Sequence, residues 1–122
     1  MSTFGDVLGA FAAEIGTAPP RLVDGAPVTF RFERSGRLFV EARGERILVY
    51  LEHPEPVRDS GPLVGALAAC DPRRPRAFPM RAGLSPDDRL IMGVAIEERA
   101  FTLPTLHQII EQLMQTQGEI FA

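Results

Sequence analysis

The spacing of the apolar residues changes along this chain, from a helical period to a strand period and back. Near the start, large apolar side chains recur every three or four residues, as on one face of an α-helix. Thr3 and Asp6 predict a cap before this helix, and Gly16 predicts its end. The apolar face consists of Phe4, Val7, Leu8, Phe11 and Ile15.

A period of two follows between Pro27 and Leu51, where apolar residues alternate with polar ones. This alternation predicts strands with one face toward a core. Ser35-Gly36 and Gly44-Glu45 supply residues that tight turns require, so we predict three antiparallel strands in a meander. The third strand is apolar almost throughout, which predicts cover on both faces, and we expect the prolines of residues 53–56 to end it.

The second half of the chain predicts two helices around a pair of strands. Residues 63–70 predict a short helix of small residues that Asp71-Pro72 stops, and this helix either contacts a second subunit or packs on the chain's own sheet. Residues 77–82 predict a short strand. Leu90–Ile96 predict another that is buried on both sides, either by a helix and a sheet or by a partner subunit. The last helix has Thr102 as its cap and Pro104 in its first turn. Its apolar face consists of Leu106, Ile109, Ile110, Leu113 and Met114.

The predicted order is helix, three strands, helix, two strands, helix. This order is typical of an α+β domain in which helices pack on an antiparallel sheet. A length of 122 residues suits one core and leaves no room for a second, so residues 1–122 are expected to form a single domain.

Charge and composition exclude several classes of partner. The net charge of −3 argues against a phosphate-binding surface, so no nucleic-acid partner is expected. No apolar run approaches the length that crosses a bilayer, and residues 1–6 lack the basic region of a secretory signal. The single cysteine, Cys70, fits a reducing compartment and is expected to be a small buried residue.

The residues that could carry chemistry do not form a recognisable site. His53, His107 and Cys70 have no metal-ligand spacing, and His107 is expected on a polar or boundary face of its helix. The carboxylate pairs Asp87-Asp88 and Glu97-Glu98 are accompanied by arginines, as in solvated turns and strand ends. We therefore predict no catalytic residues, no metal and no cofactor, and we expect that the protein is not an enzyme.

The aromatic content indicates a protein partner instead. Eight phenylalanines and one tyrosine are more than a thin sheet with three helices conceals easily in so small a domain. Some large apolar side chains should therefore face another polypeptide.

Three stretches of the C-terminal third resemble the SycN branch of the class I type III secretion chaperones: residues 79–83, 97–108 and 111–113. The resemblance implies a dimeric α+β fold with the order α-β-β-β-α-β-β-α. It also implies a non-enzymatic export chaperone of the bacterial cytoplasm, with a peripheral location at the inner face of the membrane left open. By the same resemblance, the chain pairs with a YscB-like subunit and binds the N-terminal region of a YopN-like secreted gatekeeper protein.

On this hypothesis, apolar residues serve two interfaces as well as the core. The expected contacts with the cargo segment are Phe4, Val7, Leu8, Phe11, Val28, Phe30 and Phe32, and the alternative is that these residues belong to the core only. The expected dimer contacts are Leu63, Val64, Leu67, Leu90, Met92, Val94 and Ile96.

Other functions stay open from the sequence. A homodimeric chaperone for a different effector has the same pattern, since other class I members are homodimers. A small α+β ligand-binding protein or enzyme would need converging polar groups that the sequence does not reveal. An adaptor that binds folded surfaces is a third alternative.

Overall fold

The computed structural model describes residues 3–122, and it confirms the predicted order of helices and strands. A single 3-10 turn, Glu98–Ala100, precedes the last helix. The elements are α1 (Phe4–Glu14), β1 (Val28–Phe32), β2 (Gly36–Arg43), β3 (Arg46–Pro56), α2 (Gly61–Ala69), β4 (Arg81–Leu84), β5 (Arg89–Glu97) and α3 (Leu103–Ile120).

The five strands form one antiparallel sheet in the order β1-β2-β3-β5-β4. The first three strands are the predicted meander, and β5 then pairs with β3 on its free side. Val40 lies opposite Val49, and Val49 lies opposite Val94. The buried apolar residues of the central strands are therefore paired with one another. β1 and β4 are the two edges of the sheet.

The predicted helix caps are confirmed by their hydrogen bonds. The Thr3 hydroxyl accepts from the Asp6 backbone N–H at 3.1 Å, and the Asp6 carboxylate accepts from the Thr3 backbone N–H at the same distance. This reciprocal pair satisfies two donors that a helix N-terminus leaves free. Gly16 follows α1 with a φ of +77°, and Thr102 caps α3 by accepting from the Thr105 N–H at 3.2 Å.

All three helices contribute to one core on one face of the sheet. α3 packs across β3 and β5, α1 packs on α3, and α2 packs on α3 and β5. The inner face of the central strands is buried beneath them, with Leu38, Val40, Ile47, Val49, Leu51, Leu90, Met92 and Val94 at most 3% exposed. The helices add Val7, Leu8, Phe11, Ala66, Ala69, Leu106, Ile109 and Leu113, all at most 5% exposed.

Two predicted strand boundaries are wrong. β3 continues through the prolines to Pro56, with a register shift between Glu52 and Pro56. Pairing with β2 ends at Glu52, so the prolines need no N–H for that ladder. β4 begins at Arg81 and not at residue 77, because the Gln112 side chain of α3 binds both the N–H and the C=O of Phe78.

Within this chain, β3 and β5 are covered on one face only, and cover of the other face of β5 by a partner subunit stays a prediction. In both strands, the side chains that alternate with the buried ones are partly exposed. On β3 these are Leu48 and Tyr50, and on β5 they are Ile91, Gly93 and Ala95. The apolar residues of β3 and β5 therefore lie in two different environments. One set is buried beneath the helices, and the other lies on the open face of the sheet.

The two hairpin glycines predict different costs for the same substitution. Gly36 has a φ of +97°, and a Cβ there would lie 1.9 Å from the Glu52 carbonyl oxygen. Gly44 has a φ of +57°, and nothing lies within 4 Å of a Cβ there. We expect Gly44→Ala to lower the free energy of unfolding by about 1 kcal/mol, through backbone strain alone. Gly36→Ala should lower it by ~3 kcal/mol or more, because the β2–β3 pair must separate as well.

Urea unfolding followed by circular dichroism measures both variants against the unmodified chain. Equal losses of stability in the two variants would contradict the close approach of Gly36 to β3.

Candidate partner-binding surfaces

The residues predicted to contact cargo lie together where α1 meets β1. The Phe11 and Phe30 rings meet edge to face, with centroids 5.0 Å apart. Five of the seven side chains are buried in the chain's own core: Val7, Leu8, Phe11, Val28 and Phe30 are 0–6% exposed. In this conformation the five side chains therefore belong to the core, and a contribution of them to cargo binding stays a prediction.

Phe4 and Phe32 keep part of their surface accessible, at the margins of that cluster. The Phe4 ring packs on the Phe101 ring at a centroid distance of 5.6 Å, which connects α1 to the beginning of α3. For these two residues, contact with cargo stays a prediction.

His107 fastens the other end of α1 to α3. Its Nε2 lies 2.5 Å from the Glu14 carboxylate, and its ring meets the edge of Phe11 at 5.9 Å. The His107 side chain is exposed, as its predicted place on the polar side of α3 requires. These contacts hold the surface of α1 in place from both ends.

α2 has its large side chains outside and its small ones inside. Ala66 and Ala69 are buried, and a Cβ at Gly65 would lie 3.4 Å from Ile120 of α3. Val64 and Leu67 point away from the core with 64% and 70% of their surface exposed. Exposed apolar residues that adjoin one another on a helix are typical of a binding surface. We call Val64 and Leu67, together with the partly buried Leu63, the α2 ridge.

Three of the β5 residues predicted as dimer contacts lie inside the chain's own core. Leu90, Met92 and Val94 are at most 3% exposed, because they lie on the inner face beneath the helices, and their contact with a second subunit stays a prediction. Ile96 is partly buried and packs against the same core. Strand alternation gives the opposite face to Ile91, Gly93 and Ala95.

A shallow apolar groove of about 250 Å³ follows this open face of the sheet. Gly93 keeps it open beside β3, since a Cβ there would lie 2.8 Å from the Cβ of Tyr50. The sequence interpretation did not find the groove, because a continuous apolar run does not show which face of a strand the helices cover. The lining residues that face outward are Leu48, Tyr50, Arg81, Gly83, Ile91 and Ala95.

Beside the groove, Tyr50 stacks on Phe39 with ring centroids 5.0 Å apart and planes inclined by 11°. The Arg37 guanidinium lies 5.5 Å from the centroid of the Phe39 ring, and its Nη2 donates to the Glu52 carboxylate at 2.6 Å. Burial raises the pKa of the Tyr50 phenol, and the charges of Glu41 and Glu52 act in the same direction. The Tyr50 hydroxyl is therefore neutral at physiological pH. The sequence signal for this surface was an aromatic residue, Tyr50, at a position that alternates with the buried residues of β3.

His53 and Cys70 lie in different local environments. His53 stacks on Phe121 with ring centroids 3.6 Å apart, and its Nδ1 accepts from the Glu55 N–H. Burial raises the pKa of the Cys70 thiol, and Arg76 only partly opposes this shift. Within residues 3–122, His, Cys, Asp and Glu side chains form no group of three or more that could hold a metal ion. No helix in that range is long and apolar enough to cross a membrane.

Comparisons with known proteins agree over most of the chain. Residues 7–121 match a family model described as Type III secretory system chaperone SycN. The chain is 32% identical over 96 residues to the chaperone protein SycN of Yersinia pseudotuberculosis serotype I, an alignment that covers 78% of each chain. It is 32% identical over 98 residues to the SycN of Yersinia enterocolitica, again with 78% of each chain covered.

Solved structures share the fold at lower identity. A chain from the complex of the Yersinia pestis type III secretion chaperone SycH with a stable fragment of YscM2 has a TM-score of 0.74 and 13% identity, covering 97% of this chain and 99% of that one. A chain from the ExsC-ExsE complex has a TM-score of 0.72 and 15% identity, covering 95% and 92%. A chain from the HopA1-SchA chaperone-effector complex has a TM-score of 0.68 and 20% identity, covering 95% and 91%.

We predict from its environment that the Cys70 thiol reacts slowly. The thiol is partly buried and its pKa is raised, so alkylation by iodoacetamide at pH 8 should be several-fold slower than for an exposed cysteine. A matched control is Ala10→Cys in a Cys70→Ser background, because Ala10 lies on the exposed side of α1. Mass spectrometry measures both rates. A Cys70 that reacts as fast as the control cysteine would indicate an activated thiol and contradict this account.

Proposed function

This chain belongs to the SycN family of type III secretion chaperones, and from that premise we propose that it binds the N-terminal region of a YopN-like secreted gatekeeper protein. In this proposal it keeps that region soluble and competent for export, as a heterodimer with a YscB-like subunit in the bacterial cytoplasm. The comparisons give no support for the peripheral membrane location that the sequence left open.

The observation that carries the proposal is that two apolar surfaces remain uncovered although the core is complete. Val64 and Leu67 on the α2 ridge are mostly exposed, while the inner face of the sheet is sealed by the chain's own helices. The groove on the open face of the sheet is the second such surface. Burial of exposed apolar area against another polypeptide is favourable by roughly 25 cal/mol per Å².

We assign the YscB-like subunit to two separate surfaces of the chain, the α2 ridge and the outer face of β5. Ile91 and Ala95 on the latter face are added to the expected contacts. Arg81 lies at the rim of the groove and can select a partner by charge, since a charged rim favours complementary partners over others.

The cargo segment is proposed to extend along α1 and β1. Phe4 and Phe32 offer partly exposed rings there, and β1 is an edge of the sheet with backbone groups free on one side. An extended polypeptide can pair with such an edge and place alternate side chains against the rings. Binding and release then depend on differences in affinity, and no reaction step is required.

Co-expression tests the proposal directly. The chain, a tagged YscB-like subunit and the N-terminal fragment of the YopN-like protein are expressed together, and the purified complex is treated with protease. We expect a complex that contains all three chains and in which the fragment is protected. A homodimer that binds a different secreted protein would support the homodimeric alternative. A stable monomer that co-purifies with a stoichiometric small molecule would contradict chaperone function.

Val64 and Val23 form a matched pair for testing the α2 ridge, since they are 64% and 59% exposed and lie on different surfaces. Val64→Asp should weaken pairing with the YscB-like subunit by about tenfold or more, because a carboxylate would be desolvated at the interface. Val23→Asp should leave pairing unchanged. Light scattering of the co-purified chains measures the assembly. Unchanged pairing in Val64→Asp, with the fold intact by circular dichroism, would exclude the α2 ridge as the interface.

A further inference from the structure

The connection between α1 and β1 crosses back over α1 and places one of its side chains on that helix. The Cδ1 atom of Leu22 lies so near Gly5 that a Cβ at Gly5 would be 2.9 Å from it. Gly5 is in the first turn of α1, directly after Phe4, one of the residues expected to face cargo. The missing side chain thus leaves a notch on α1, and Leu22 occupies it. We call residues 17–27 the α1–β1 strap.

The strap is otherwise weakly held. Its residues are exposed apart from Pro20, and Leu22 itself keeps 51% of its surface accessible. The Thr17 N–H donates to the Ala12 carbonyl of α1. After Thr17, the backbone hydrogen bond that the described structure gives for the strap joins two of its own residues, from the Ala26 N–H to the Val23 carbonyl. Segments with few buried contacts and exposed backbone belong to the least stable part of a fold and open first.

We propose that the α1–β1 strap is a displaceable cover and that Leu22 stands in for an apolar side chain of the bound partner. The proposal depends on the function proposed above, because Phe4, which precedes Gly5 in the first turn of α1, belongs to the expected cargo surface. A leucine, isoleucine or methionine of an extended segment has the size and chemistry to replace Leu22 beside Gly5. Binding then requires that the strap leave the notch.

Such a cover lowers the apparent affinity for the partner. When the competent state is only a fraction of the population, the apparent dissociation constant is the intrinsic one divided by that fraction. A variant that empties the notch removes this competition without adding a new contact. The strap thus limits binding to segments that can displace a leucine.

The experiment compares Leu22→Ala with Val23→Ala in the full chain paired with the YscB-like subunit. Val23 is the control because it is similarly exposed, at 59%, and no contact of it with Gly5 is present in the structure. The probe is the N-terminal fragment of the YopN-like protein, titrated by calorimetry. Leu22→Ala should bind it about three- to tenfold more tightly than the unmodified chain, and Val23→Ala should bind equally to the unmodified chain.

Limited trypsin digestion adds a readout of strap opening, with Arg21 in the strap and Arg58 as an exposed reference site. In the chain without cargo, Gly5→Leu should accelerate cleavage after Arg21, because its side chain displaces Leu22. Gly9→Leu is the control, since nothing lies within 4 Å of a Cβ there. Addition of the fragment to the unmodified complex should likewise accelerate cleavage after Arg21 relative to Arg58.

The outcomes separate the two proposals. If the unmodified complex does not bind the fragment, the proposed function is contradicted, and the role of the strap with it. If the complex binds but Leu22→Ala has unchanged or weaker affinity, only the cover is contradicted. Protection of Arg21 by the bound fragment would also overturn the cover, because it would make the strap part of the docking surface.

Discussion

The structure depends on the packing of α3 across one face of the five-stranded sheet. Leu106, Ile109 and Leu113 are fully buried against the inner phase of β3 and β5, and α1 and α2 both pack on α3. Because all the helical cover is on this side, the core is complete within one chain. The opposite face keeps its half-exposed apolar residues for other contacts.

Small residues lie where α2 packs on α3 and where β5 passes beside Tyr50. Gly65, Ala66 and Ala69 let α2 approach α3 closely, so the larger residues of the same helix must point outward. On the sheet, Gly93 keeps a groove open beside Tyr50. In both places, small residues determine where the chain leaves apolar surface exposed. Protein surfaces rarely keep such adjoining residues without a binding role, and this links the packing to a chaperone that holds other polypeptides.

The same principle applies to α1, at a smaller scale. His107 and Glu14 fasten one end of the helix to α3, and the contact between Phe4 and Phe101 fastens the other. The buried side chains of α1 hold the helix in the core, while the strap beside it is held through a half-exposed leucine at Gly5. A rigid helix next to a weakly held segment can exchange one apolar contact for another without disturbing the core.

Local features of the sequence determined the elements. The Thr3 and Thr102 caps, the glycines of the two hairpins and the apolar face of α3 were predicted correctly, because they depend on residues close together in the chain. The sequence could not decide which apolar residues are exposed. The burial of Leu8 and Met92, the exposure of Leu67 and the contact of Leu22 with Gly5 were decided by the tertiary structure. Periodicity defines two faces for each strand or helix, but only packing between distant segments determines which face is covered.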